Sequence, residues 1–277
     1  RLQGLAADEA PADDAPRDSF ARDPAEAARA LAALDPEAER VVVFVGKLIG
    51  SKGVELLLAA WPLILAAQPR ARLLIVGFGA FRPGLERLAH ALAAGDFAGA
   101  RMARGEEGQE LPRLTAFLDG LDAGGREAYA RAARGLPGTI HWAGRLEHDE
   151  LADVLPAAEA MVVPSTFPEA FGMVAAEAAA CGALPVVARH SGLAEVAAAL
   201  AGAVPDAVRP LLAFDVGPRA VEDLAAAVAA WLAAPAEVRA AARDAIVAVT
   251  RERYSWEGVA RTVIHAARGE LDGLSRP

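Results

Sequence analysis

Two carboxylates and two lysines carry most of the chemistry legible in this chain. Glu169 and Glu177 stand eight positions apart in and beyond the stretch Pro164-Ser165-Thr166-Phe167-Pro168-Glu169-Ala170-Phe171-Gly172-Met173. Lys47 and Lys52 lie in a second, glycine-bearing stretch, Gly46-Lys47-Leu48-Ile49-Gly50-Ser51-Lys52-Gly53. A carboxylate accepts two hydroxyl hydrogen bonds side by side, which is what a ribose or hexose diol offers. Lysines add charge that neutralises a diphosphate, and glycines let backbone approach it closely. Each feature also has a plain reading. Glu169 could be a first-turn partner of a helix dipole, Glu177 a solvated residue on an Ala-rich helix, and the lysines exposed charge after a strand. Their combination favours a site for a sugar linked to phosphate.

The elements around these residues must place them together. The apolar run 160–163 predicts a buried strand stopped by Pro164, residues 171–181 predict a helix closed by Gly182, and 184–188 predict the next parallel strand. That order puts a helix N-terminus at the carboxyl end of a sheet, where unpaired N–H groups and the dipole favour an anion. If Glu169 lies near helical register, eight residues advance about 800°, which leaves the two carboxylates within roughly 80° of each other.

Upstream, a strand over 41–45 runs through the lysine loop into a long amphipathic pattern reaching Gln68. The strand 72–76 ends in Gly77-Phe78-Gly79, which is no dinucleotide fingerprint: the third glycine is displaced and no acidic residue ends a following strand at the right distance. A strand over 139–143 leads to Gly144-Arg145-Leu146 and a helix over 147–156; Arg189-His190-Ser191-Gly192-Leu193 opens a helix over 193–200. A last short strand is expected over 210–214, and helices over 219–233, 236–253 and from Ser255, a plausible N-cap, onward. Asp23-Pro24 is expected to cap a short helix through Leu34. Strands alternating with helices over 41–215 give an α/β fold, a Rossmann-like parallel sheet with helices on both faces.

The Glu169-to-Glu177 block, with Phe171-Gly172 inside it and Ala-Cys-Gly-Ala-Leu-Pro-Val-Val after it, resembles the Glu-x7-Glu motif of retaining group 1 (family four) glycosyltransferases. These enzymes have the GT-B architecture, and the resemblance covers roughly residues 40–268, the C-terminal donor-binding domain. It implies that Glu169 contacts the donor sugar, that Glu177 holds the ribose hydroxyls, and that the amides of Phe171, Gly172 and Met173 meet the diphosphate. It further implies that Lys47 and Lys52, following Gly46, grip that diphosphate, with Lys47 standing where arginine is more usual, and that Arg145-Leu146 lie beside the nucleotide base.

The implied activity is transfer of a hexose from a UDP- or GDP-linked donor to a hydroxyl of an acceptor sugar, lipid or small polyol, with retention and with no cofactor or metal beyond the donor itself. One departure is clear. About sixty residues separate Gly79 from the next strand, which reads as a helical insertion over 81–137 with a mobile centre near Arg104-Gly-Glu-Glu-Gly. Nothing before Val41 supplies the N-terminal GT-B domain, so that half is expected in cis or in trans. The alternative is a nucleotide-sugar-binding module inactive without it. The domain reading is an N-terminal arm or linker remnant over 1–38, then a nucleotide-sugar-binding domain over 39–277 ending in helices over 219–268.

Composition narrows the classes. At 277 residues, 54% hydrophobic and with mean hydropathy +0.25, the chain can bury a sizeable core. Its net charge of −9 and lack of a lysine/arginine block disfavour a nucleic-acid partner. The lone Cys181 reads as a small buried filler. No run of roughly 18 uncharged apolar residues appears. A cytoplasmic location is expected, at the inner face of the membrane if the other half associates peripherally with it.

Overall fold

Six short apolar runs form one parallel sheet in the computed structural model, which describes residues 22–270. They are β1 (Arg40–Val45), β2 (Ala71–Val76), β3 (Ile140–Gly144), β4 (Ala160–Val163), β5 (Leu184–Ala188) and β6 (Ala213–Phe214), in the spatial order β3-β2-β1-β4-β5-β6. Val42 pairs with Leu73 of β2 on one side and with Ala160 of β4 on the other. From β1 the chain winds outward through β2 and β3, then returns to the other side of β1 at β4. The loops after β1 and β4 therefore part at the carboxyl ends of their strands and leave a crevice. The last strand is shorter than 210–214. Arg209–Leu211 turns into a 3-10 helix around Pro210, which has no N–H to give a ladder.

Helix α1 (Pro24–Ala32) is capped as expected, the Asp23 carboxylate accepting from Glu26 N at 2.9 Å. Its Ala27, Ala30 and Leu31 enter the common core, and it packs against β3. Residues 1–21 of the expected arm lie outside the described residues.

Helix α2 (Val54–Ala67) corrects the amphipathic reading: all its residues but Leu63, Ala66 and Ala67 are buried. The reason is the long excursion that follows β2. It folds as α3 (Arg82–Ala94), α4 (Phe97–Arg101), α5 (Pro112–Gly120) and α6 (Ala123–Ala133), and α3, α5 and α6 all pack on α2. Tyr129 of α6 donates its hydroxyl to Ala59 O at 2.8 Å, and Trp61 donates Nε1 to the Thr139 hydroxyl at 3.1 Å.

Beyond β3 come α7 (His148–Val154), α8 (Met173–Ala180), α9 (Ser191–Ala201), α10 (Ala220–Ala233), α11 (Ala236–Tyr254) and α12 (Trp256–Ala267). Helix α10 completes the cover of α2, while α8, α9 and α11 pack together on the β5 side. At the amino ends of the strands, Glu159 is held by Arg40 at 2.7 Å, Arg243 at 2.9 Å and Arg239 at 3.5 Å. Among the described residues no single helix is long and apolar enough to cross a membrane.

Candidate functional site

The crevice between the β1 and β4 loops is the site. After β1 the chain turns through a short 3-10 helix, Gly50–Lys52, into Gly53. Gly53 has φ 67°, and a Cβ there would stand 2.0 Å from Pro164 O, so only glycine allows the two loops to meet. They do meet: Thr166 N donates to Ser51 O at 2.9 Å. On the other flank Leu48 N donates to Phe78 O at 2.8 Å, which ties the lysine loop to the end of β2.

Between the loops lies a cleft of about 440 Å³ lined by Gly46, Lys47, Lys52, Ser165, Phe167 and Glu169, among others. Lys52 Nζ donates to Glu169 Oε1, and the Ser165 hydroxyl donates to the same oxygen at 2.6 Å. Burial alone would raise the Glu169 carboxyl. The bonds from Lys52 and Ser165, with the charges of Lys52 and His190, outweigh it and hold the group below the ordinary carboxylate value. Its other oxygen accepts no bond among the described residues and is open to a hydroxyl. Lys47 is exposed on the cleft and has no ion pair among the described residues.

Glu169 is not in helical register. Helix α8 starts only at Met173, with Gly172 as its N-cap, so the angular estimate for Glu169 and Glu177 does not apply. Instead Glu169 is fixed through its backbone: its N–H donates to the Ser191 hydroxyl at 2.9 Å, and Gly192 N donates to its carbonyl at 3.0 Å. A Cβ on Gly192 would lie 2.5 Å from Phe171 Cα, so glycine is required for this approach.

Of the remaining candidates, Val174 rather than Phe171 or Met173 lines the cleft wall. Phe171 is exposed and stands edge-on to Tyr254, with ring centroids 5.3 Å apart. Gly172 is buried and Met173 is exposed. Glu177 is half-buried on α8, outside the lining residues and without a hydrogen-bond partner among the described residues. Burial and then its charge raise the Cys181 thiol. Leu146 is buried at the end of β3, while Arg145 is exposed, pairs with Glu147 at 3.1 Å and lies 5.7 Å over the Phe78 ring. These two sit on the β2–β3 side of the site, away from the lysine–glutamate contact.

Sequence reasoning missed His190 and Ser191 as individual contributors. His190 Nε2 lies 2.7 Å from Ser165 O, which can only accept, so Nε2 carries a proton. Its Nδ1 stands 3.0 Å from the Ser191 hydroxyl and, in the neutral ring, accepts from it. Ser191 has φ 49°, a left-handed conformation that a serine adopts at a cost. The polar loop after β5 was the available signal. Among the described residues no group of three or more His, Cys, Asp or Glu could hold a metal ion.

Two family models, both described as "Glycosyl transferases group 1", match residues 39–118 and 124–247. Among curated relatives, a D-inositol 3-phosphate glycosyltransferase of Segniliparus rotundus is 32% identical over 248 residues, 89% of this chain and 43% of the relative. Glycogen synthase of Mycobacterium tuberculosis is 34% identical over 219 residues, 76% of this chain and 47% of the relative. The chain thus spans less than half the length of the curated relatives it matches. Among solved structures, sucrose-phosphate synthase from Thermosynechococcus elongatus aligns with TM-score 0.53 and 24% identity, over 92% of this chain and 51% of that one. Anabaena HepE in complex with UDP and glucose aligns with TM-score 0.55 and 17% identity, over 91% and 54%. The structural likenesses speak for the fold.

Proposed function

The chain belongs to the group 1 glycosyltransferases, and from that premise we propose that it is the donor-binding half of a retaining GT-B hexosyltransferase of the family-four type. The donor is a UDP- or GDP-linked hexose, and the acceptor is a hydroxyl of a sugar, a lipid or a small polyol. The observation that carries this reading is the Lys52–Glu169–Ser165 contact in the crevice, with Lys47 beside it and in no ion pair among the described residues.

Lys47 and Lys52 supply charge for the diphosphate, joined by the first amides of α8, which have no acceptor within the helix. Negative charge grows on the departing diphosphate during transfer, and fixed cations in a partly dry cleft stabilise it. Glu169 is ionised, and its free oxygen orients a donor-sugar hydroxyl. It is not assigned a covalent intermediate; attack comes from the face of the leaving phosphate, which assists deprotonation of the acceptor. Glu177, whose side chain has no hydrogen-bond partner among the described residues, receives the ribose hydroxyls, and Arg145-Leu146 border the base. The other GT-B half, in cis or in trans, supplies acceptor contacts and any peripheral attachment to the cytoplasmic face of a membrane.

The second reading is a donor-binding module that turns over nothing without an acceptor-binding half. The test is product analysis by NMR, with this chain alone and with a GT-B N-terminal half supplied to it in cis or in trans, using UDP- and GDP-hexoses. Retained anomeric configuration in the product supports the reading; an inverted product contradicts it. Donor binding without turnover by this chain alone, alongside turnover once the N-terminal half is supplied, assigns it as the module.

A further inference from the structure

The excursion between β2 and β3 is the largest part of the chain that the proposed reaction leaves unused, yet its middle reaches the lysine loop. There Gly105–Gln109 forms a tight turn, closed by Gly105 N donating to Gln109 O at 2.8 Å. From this turn the Glu106 carboxylate accepts from Gly50 N at 2.7 Å. Gly50 opens the 3-10 turn that carries Lys52, and no backbone carbonyl among the described residues takes its amide.

The same turn is gripped from the opposite side by the β4 loop. Thr166 N donates to Ser51 O at 2.9 Å, and its hydroxyl lies 3.4 Å from both Gly50 O and Ser51 O. One side thus holds the turn by its donor and the other by its acceptors. Glu106 is not among the residues lining the cleft, so its carboxylate meets the loop from behind and does not occupy the ligand's place. A turn bounded by Gly50 and Gly53 has much backbone freedom to lose, which gives such a brace something to do.

We propose that Glu106 is a positioning residue: through its bond to Gly50 the helical insertion sets the turn that presents Lys52 to Glu169, and so governs diphosphate binding in the cleft. This rests on the reading of the cleft given above. Glu106 touches no substrate in this role and acts only through the loop.

The experiment compares Glu106→Ala, Glu106→Gln and, as a neighbouring control, Glu107→Ala. Without ligand, Glu106→Ala is expected to speed amide exchange at Gly50 and Ser51 and to move the Glu169 carboxyl titration to higher pH, as Lys52 drifts from it. With UDP and GDP as probes, it weakens the binding nucleotide about tenfold, while the glutamine, which keeps an acceptor for the Gly50 amide, restores affinity to within about threefold. Glu107→Ala changes none of these. Unchanged Gly50 exchange and unchanged Glu169 titration in Glu106→Ala overturn the proposal, as does wild-type affinity in that variant. If the wild type binds neither nucleotide while the two ligand-free readouts respond, the brace stands and the donor-site reading falls.

Discussion

Lys52 and Glu169, separated by 117 positions in sequence, are bonded across the gap between the β1 and β4 loops. The bond exists because β4 lies directly beside β1 while the loops that follow them part. It puts a cation and an ionised carboxylate side by side, one suited to phosphate and the other to hydroxyls.

Lys52→Ala should therefore weaken nucleoside-diphosphate binding by about 10- to 100-fold, the usual worth of a charge-assisted hydrogen bond. It should also let the Glu169 carboxyl titrate at higher pH, since the cation that lowers it is gone. Calorimetry and carboxyl NMR read the two effects separately.

Ser191 gives a contrast between strain and anchoring. Ser191→Gly relieves the left-handed backbone, worth about 1–3 kcal/mol, but removes the hydroxyl that accepts from Glu169 N. Affinity for the hexose conjugate should fall about tenfold with no loss of thermal stability, and Ser191→Ala, which keeps the strain and loses the same bond, should lower both affinity and Tm.

Glu55, buried at the start of α2, is pushed up to about 7 by burial, against its own backbone N–H and the charge of Arg113 and with that of Glu106. The folded chain then holds a proton that the unfolded chain has released between about pH 4.5 and 7. Stability falls across that window by up to about 1.4 kcal/mol per pH unit and levels off above it, a total of about 3 kcal/mol. Denaturant unfolding at pH 5, 7 and 8 should show this decline in the wild type and little of it in Glu55→Gln. Parallel profiles for the two proteins would refute it.

Gly192→Ala forces a methyl onto the backbone of Phe171 and should cost about 1–3 kcal/mol of stability. It should also loosen Glu169, whose carbonyl accepts from Gly192 N. A Tm and an affinity for the hexose conjugate both equal to wild type would contradict that packing.

The sheet and the crevice were legible because four apolar runs end in glycine or proline, at Gly46, Gly77, Gly144 and Pro164, and alternate with helical stretches, which leaves few topologies. Lys47, Lys52 and Glu169 could be placed at one site because they follow strands that such a fold makes neighbours. The pairing of Lys52 with Glu169 could not be read, since it depends on loop shape after Gly53. The full burial of α2 was hidden as well: its outer face is covered by α3, α5, α6 and α10, which are distant in sequence. Glu169's escape from helical register follows from its backbone bonds to Ser191 and Gly192, contacts that no periodicity encodes. The same holds for Glu106 beneath Gly50, whose own segment looks like a polar, glycine-rich break.

The most direct measurement is calorimetric titration of this chain with UDP, GDP and their hexose conjugates, beside Lys52→Ala and Glu169→Gln. The prediction is micromolar binding of one nucleotide, weakened in Lys52→Ala, with the extra affinity of the hexose conjugate over the bare nucleotide lost in Glu169→Gln. Binding that is unchanged in both variants would contradict the assignment of the β1–β4 crevice as the donor site.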